Sequence, residues 1–124
     1  MSTLIVATSD GRTNFRPGEA IAGSAMWELP AAPRSLEVRL FWYTQGKGTQ
    51  DVGIVGTMEI QTPGPKGEAT FAFEAPQGPF SYSGRLTSVA WAIELVAEHP
   101  DESERLALVL SPTGSEILLG TVED

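Results

Sequence analysis

Residues 76–95, with the sequence PQGPFSYSGRLTSVAWAIEL, decide the fold of this chain. Pro76, Gly78 and Pro79 cannot continue a regular element, so they predict a turn. From residue 87 onward, β-branched or large apolar side chains recur at every second position, the period of a strand with one buried face. They are Thr87, Val89, Trp91, Ile93 and Leu95. Residues 86–96 are therefore predicted to form a strand that directs Val89, Trp91 and Ile93 toward the core.

A helix is the alternative interpretation of residues 86–98, because apolar residues there also fit one helical face. Several of them, such as Ala92 and Leu95, are good helix formers. The β-branched residues, and a Gly84-Arg85 start that lacks an Asp or Asn cap, favour the strand.

The rest of the chain is built from short apolar runs separated by turn residues, without a convincing helix. The runs span residues 4–8, 20–29, 35–44, 51–61, 68–75, 84–97, 106–110 and 117–122. The clearest alternates Leu36, Val38, Leu40 and Trp42 with Glu37, Arg39, Phe41 and Tyr43. About eight strands at this spacing predict a single all-β domain over residues 1–124, an antiparallel β-sandwich.

Two local signals refine this interpretation. Arg16-Pro17-Gly18-Glu19 is typical of a β-turn, with Pro at its second position and Gly at its third. In residues 51–61 the apolar phase changes between Ile54 and Val55, which predicts a β-bulge at Gly53 or Gly56.

Composition excludes several function classes. The net charge is −8 and only eight Lys and Arg are present among 124 residues, so nucleic acid and anionic membranes are poor partners. No apolar run is long enough to span a bilayer, and residues 1–8 lack the basic start of a signal peptide. Without cysteine there is neither a disulfide nor a thiolate metal site. A cytoplasmic protein without a cofactor or metal is expected.

Three motifs in chain order resemble the arrestin-like superfamily. They are Phe15–Gly23 around the Pro-Gly-Glu turn, the strand at 35–44, and Pro79-Phe80-Ser81-Tyr82-Ser83-Gly84 before the strand through Trp91. Arrestin N-domains and retromer cargo-binding subunits carry similar motifs, although Tyr82 stands where Phe is usual. Single-domain bacterial relatives, including those related to sporulation-control proteins, are more similar through residues 40–49. The resemblance implies an immunoglobulin-like sandwich that binds other proteins.

Residues that could support catalysis or metal binding have simpler interpretations. His99, the only histidine, lies in an acidic turn without a nucleophile elbow, so it is read as a surface residue. The acidic residues at 98–104 lack the spacing of a calcium loop and are read as solvated. Gly46-Lys47-Gly48-Thr49 lacks the preceding glycine and following helix of a phosphate-binding loop. No catalytic site is predicted.

The best candidate surface lies around three consecutive aromatic residues, since both faces of their strand must carry rings. Phe41 and Tyr43 form either a covered or an exposed pair, and an exposed pair would be typical of protein contact. Lys47 and Asp51 follow on the adjoining loop, where Lys47 could bind an acidic partner or simply protect the hairpin from aggregation. Tyr82 and Arg85, at the turn predicted to lie opposite, form the second candidate.

The predicted function is a non-enzymatic protein-interaction module, an adaptor or scaffold. A partner strand could add to an exposed sheet edge, and the same edges could pair two copies into a homodimer. The alternative is a sandwich that binds a small ligand or carbohydrate. The positions of Trp27, Trp42 and Trp91 discriminate between the two, because a ligand site favours an exposed Trp in a cleft.

Overall fold

The chain folds into two packed β-sheets, as the alternating runs predict. The structure, a computed structural model, describes residues 2–46, 51–79, 81–83, 87–99, 101–111 and 117–118. The strands in these residues are β1 (Thr3–Thr8), β2 (Asn14–Phe15), β3 (Ala20–Glu28), β4 (Ser35–Gly46), β5 (Val52–Glu59), β6 (Lys66–Glu74), β7 (Tyr82–Ser83), β8 (Thr87–Glu98), β9 (Glu102–Leu110) and β10 (Ile117–Leu118).

The small sheet has the order β1-β3-β6, and β8 and β4 form the centre of the large sheet. β5 is the last strand on one side of the large sheet; on the other side, β8 pairs with both β7 and β9. The long pairs are antiparallel, as predicted, whereas the short pairs β2–β9 and β7–β10 are parallel. We refer to the face of the large sheet that packs on the small sheet as the inner face, and to the opposite one as the outer face.

The inner face of β8 and β4 forms the centre of the core. Val89, Trp91 and Ile93 are buried on β8, and the Trp91 indole Nε1 donates a hydrogen bond of 2.6 Å to the Pro79 carbonyl. The predicted β8 strand is therefore confirmed, and the helical alternative is wrong. Buried inward residues of β4 complete this layer. They are Leu36, Val38 and Leu40, with Trp42 partly buried against the core.

The beginning of β9 differs from the sequence prediction. The acidic turn at 98–104 is shorter than predicted, because β9 begins at Glu102 and pairs there with Ala97. Strand pairing along β8 extends over these acidic residues, although their composition favours a loop. The final predicted strand, 117–122, is described only at Ile117–Leu118.

The Pro-Gly turn that follows β2 has the predicted geometry. The Glu19 N–H donates a hydrogen bond of 3.1 Å to the Arg16 carbonyl, and Gly18 has a φ of 87°. A positive φ at the third position defines a type II turn and favours glycine. The Arg16 backbone N–H and the Arg12 guanidinium both donate to the Glu19 carboxylate, and these hydrogen bonds lower its pKa.

A bulge interrupts the pairing of β4 with β5. Leu40 pairs with Gly56, but the next residue of β4, Phe41, pairs with Ile54, so Val55 is an additional residue on β5. This irregularity lies next to Gly56, one of the two positions predicted from the sequence. Side chains on both sides of the bulge keep to their faces, since each residue shares the face of its partner on β4.

Candidate functional site

The candidate site lies on the outer face of the large sheet, where two aromatic side chains of β4 lie side by side. The ring centroids of Phe41 and Tyr43 are 5.8 Å apart. Ile54 of β5 pairs with Phe41, and Val52 pairs with Tyr43, so these aliphatic side chains share the outer face with the rings. The alternation of apolar and polar residues places this pair opposite Leu40 and Trp42.

A guanidinium from a distant part of the sequence covers both rings. The Arg105 Cζ lies 4.9 Å from the Phe41 ring centroid and 5.0 Å from that of Tyr43. Between β9 and β4 lies β8, where Ala92 faces Phe41 on one side and Ala107 on the other. A methyl side chain at this position leaves room for Arg105 to cross β8 and lie over the rings, which is a cation–π arrangement.

We call Phe41, Tyr43, Val52, Ile54 and Arg105 the outer platform. Its exposure is uneven. Phe41 is only 5% exposed, whereas Val52 and Ile54 are 63% and 54% exposed. The covered interpretation of Phe41 is therefore correct, and the exposed apolar area is contributed by β5.

Electrostatically, Arg105 is only partly neutralised by the protein. Its nearest carboxylate oxygen, Oε2 of Glu94, lies 3.8 Å from Nη2, which is an ion-pair distance but too long for a hydrogen bond. Within the described residues, the Arg105 guanidinium makes no hydrogen bond, and its side chain is 46% exposed. Arg39, another arginine on this face, is paired with Glu37.

Two shallow hollows lie on either side of the Arg105 head group. The larger, of about 270 Å³, is lined by Phe41, Tyr43, Thr44, Gln45, Val52 and Arg105. The smaller, of about 150 Å³, is lined by Arg39, Phe41, Val52, Ile54, Glu94 and Arg105. Both therefore share an apolar floor and one guanidinium.

The outer edge of β5 has no strand partner among the described residues. Thr44 and Asp51 form a hydrogen-bonded pair, as do Leu36 and Ile60, through backbone bonds of 2.9 Å. Since bonded and non-bonded pairs alternate along antiparallel strands, the N–H and C=O groups of Val52 and Ile54 point away from β4, toward the free edge. The same residues that expose apolar side chains thus present backbone groups that pair with no described residue.

None of the three tryptophans is exposed in a cleft, although Trp27, while buried, lines a hollow of about 330 Å³ on the small sheet. Trp27 and Trp91 are buried, and the Trp27 Nε1 donates a hydrogen bond of 3.0 Å to the Gly64 carbonyl. Trp42 lies on the inner side, and a Cβ atom at Gly53 would be 2.3 Å from its indole. The criterion stated from the sequence is therefore met only in part: no tryptophan is exposed, as a ligand-binding cleft would favour, but Trp42 is only partly buried.

The structure brings together only part of the candidate surface predicted from the sequence. Phe41 and Tyr43 are neighbours on the outer face, and Asp51 is exposed at the start of β5, where its N–H donates to Thr44 Oγ1. Lys47 and Arg85 lie outside the described residues.

The predicted position of Tyr82, opposite this hairpin, is wrong. Its backbone pairs with Val89, and Val89 pairs with Thr44 on the other side, so the Tyr82 backbone lies at the same end of the large sheet as the start of β5. Antiparallel pairing of β7 with the beginning of β8 causes this placement.

Sequence reasoning missed Arg105 as a site residue. The alternation of β9 separates it from Leu106 and Leu108 and assigns it to the outer face, but alternation contains no information about which distant residue it covers. The sequence alternation also predicts that Val52 and Ile54 share one face of their strand. Their position at the edge of the sheet depends on the order of the strands, which alternation does not give.

The acidic turn shows no arrangement for metal binding. His99 is exposed, with a φ of 51°, and its N–H donates a hydrogen bond of 2.9 Å to the Asp101 carboxylate. No group of three or more His, Asp or Glu side chains suited to a metal ion occurs in the described part of the chain. The same residues include no helix that is long and apolar enough to cross a membrane.

Comparison with known proteins identifies the fold. No family model matches the chain, and no curated protein matches its sequence. Among solved structures it is similar to Spo0M, a sporulation control protein from Bacillus subtilis, with a TM-score of 0.62 and 15% sequence identity over 89% of this chain. The chain spans about half of that protein, covering 49% of its length. Spo0M has an arrestin-like fold, so the predicted arrestin-like sandwich is confirmed.

Proposed function

We propose that this protein is a non-enzymatic interaction module of arrestin-like type, with a regulatory or adaptor role in the cytoplasm. It binds an extended segment of a partner protein along β5, with the outer platform beside it. The free edge of β5 carries the proposal, because exposed aliphatic side chains and outward-pointing backbone groups coincide there. The description of Spo0M as a sporulation control protein is compatible with such a role.

The absence of charge from residues 52–58 of β5 supports binding at this edge. Natural edge strands are usually protected from pairing by charged side chains or proline. Residues 52–58 contain neither, and Val55 adds to the exposed apolar surface at 47% exposure. A partner strand would gain backbone hydrogen bonds from Val52 and Ile54 and apolar contacts from their side chains.

The edges of the small sheet are less suitable. On β6, Lys66, Glu68 and Glu74 are exposed and interrupt the apolar pattern. The beginning of β1 lies beside the acidic beginning of β9, where Ser2 Oγ donates a hydrogen bond of 3.2 Å to Glu102. An incoming strand would meet charged side chains at both places.

Pairing between two copies through β5 is a second form of the same function. The unpaired edge of β5 is compatible with it, but the net charge of −8 on each chain opposes close association. Antiparallel pairing centred on Val55 would also set Asp51 opposite Glu59 twice. We therefore propose a different protein as the principal partner.

The test is affinity capture from the native cytoplasm with three forms of the protein. Ile54→Lys places a charge on the free edge, whereas Ile5→Lys changes an aliphatic side chain of comparable exposure, 45%, on the other sheet. Proteins captured by the wild type and Ile5→Lys, but lost with Ile54→Lys, are the expected result. Equal capture by all three forms would contradict binding at β5. Light scattering of the same samples tests self-association.

A further inference from the structure

We infer that the outer platform recognises an acidic side chain within the bound segment, through the Arg105 guanidinium. This inference rests on the proposed function and specifies the chemistry of the partner: an extended segment with Asp or Glu next to apolar residues. Three observations support it, namely the donors of Arg105, the charge of the larger hollow and the continuity of the apolar floor.

Arg105 is held in position but retains its hydrogen-bonding capacity. Contact with the faces of Phe41 and Tyr43 restricts the guanidinium, while its N–H groups make no hydrogen bond within the described residues. A guanidinium presents its donors in a planar fork that fits the two oxygens of a carboxylate. Because the stacked head group has already lost part of its freedom, binding a carboxylate costs less entropy than it would at a free arginine.

The larger hollow favours an anion, although the protein as a whole is acidic. Of the six described side chains that line it, Arg105 is the only charged one. Gln45 and Tyr43 contribute further polar groups at its border. Glu94 lines the smaller hollow and not the larger one. Its Oε2 is 3.8 Å from Arg105 Nη2, too far for a hydrogen bond, so it does not occupy the donors of the guanidinium.

The shape of the surface indicates that Arg105 binds the side-chain carboxylate of a residue within the partner segment, and not the carboxylate at the C-terminus of that segment. The floor formed by Phe41 and Val52 continues under both hollows, and Ile54 extends it beyond Arg105. A segment can therefore continue in both directions from the residue that contacts Arg105. A chain ending there would leave one hollow unfilled.

Selection of peptides tests this inference. Random peptides are displayed inside a loop of a carrier protein, and a second library displays free C-termini. The immobilised wild-type protein is compared with Arg105→Gln and with the matched control Arg34→Gln, which removes an exposed positive charge elsewhere. Ile54→Lys reports on binding at β5. Melting temperatures of all four proteins show that each variant is folded.

The expected result is enrichment of loop peptides with Asp or Glu flanked by apolar residues. The wild type and Arg34→Gln should bind them with similar affinity, whereas Arg105→Gln should bind them about tenfold more weakly. In a synthetic copy of such a peptide, replacing the acid by its amide should weaken binding about tenfold on the wild type and not at all on Arg105→Gln, because a charge-assisted bond is lost.

Three results would overturn the inference. Enriched peptides without an acid, or with equal affinity for Arg105→Gln, would exclude recognition by Arg105; if Ile54→Lys abolished their binding, the proposed function would still stand. Enrichment from the C-terminal library alone would show that the carboxylate is a chain terminus. Failure of both libraries to bind the wild type would contradict the inference and the proposed function together.

Discussion

Both faces of the large sheet carry large apolar side chains, but different parts of the molecule shield them from solvent. On the inner face, Trp91 and its neighbours are enclosed by the small sheet. On the outer face, Phe41 is covered in part by a single long side chain, that of Arg105, which is itself 46% exposed. Yet Phe41 and Leu108, which pairs with Trp91 on the inner face, have the same exposure, 5%. Low exposure therefore does not by itself distinguish a structural core from a surface that a partner can reach.

The largest expected effect is on the inner face. Trp91→Ala should lower the free energy of unfolding by about 3–5 kcal/mol, because it leaves a cavity and removes the hydrogen bond to the Pro79 carbonyl. Phe41→Ala should cost less, since the side chains around it can close over the gap. Urea unfolding of both variants measures the difference. Equal losses would show that the outer face is as rigidly packed as the inner one.

The second effect tests how closely β5 approaches Trp42. Gly53→Ala should destabilise the protein by about 1–3 kcal/mol, because the new methyl group would overlap the indole. Gly64→Ala is the control, since the nearest atom to a Cβ there is 3.8 Å away. Thermal unfolding monitored by Trp fluorescence distinguishes the two. If Gly53→Ala left the stability unchanged, the Trp42 indole would have to move aside at little cost in free energy.

Removal of the Arg105 side chain, which lies over Phe41 and Tyr43, should have a smaller effect on the free energy of unfolding. Arg105→Ala should cost about 0.5–1 kcal/mol, the usual size of an exposed cation–π contact. Arg34→Ala, which has no ring partner among the described residues, should be close to neutral. Both can be measured by urea unfolding. A loss at Arg105 as large as that at Trp91 would assign Arg105 to the structural core and weaken its role as a binding residue.

The smallest change in stability is expected at the free edge. Ile54→Lys should change the free energy of unfolding by no more than about 0.5 kcal/mol, as is typical of exposed sites. On the same strand, Met58→Lys should be clearly more destabilising, because Met58 packs against the core. Melting temperatures of the two variants provide the measurement. Comparable losses of stability in the two variants would show that the Ile54 side chain is as important for packing as that of Met58.

These comparisons also show what the sequence could predict. The side-chain period of β4 and β8 identified the inward residues, since burial on one face forces alternation whatever the neighbouring strand. It also placed Phe41 and Tyr43 on the outer face. The contact of Arg105 with Phe41 was not predictable, because it depends on the register between strands separated by more than sixty positions in sequence. The candidate roles of Lys47 and Arg85 remain predictions.

The bulge at Val55 has a consequence for how long a strand can pair with β5. Before the bulge, the backbone groups of Val52 and Ile54 point to the free edge; after it, those of Thr57 do so, one residue out of phase. A regular strand in register with Val52 and Ile54 therefore loses its hydrogen bonds beyond the bulge. The edge can accept a short segment but cannot serve as a continuous template for stacking further chains, so a single additional residue separates selective binding from open-ended fibril growth.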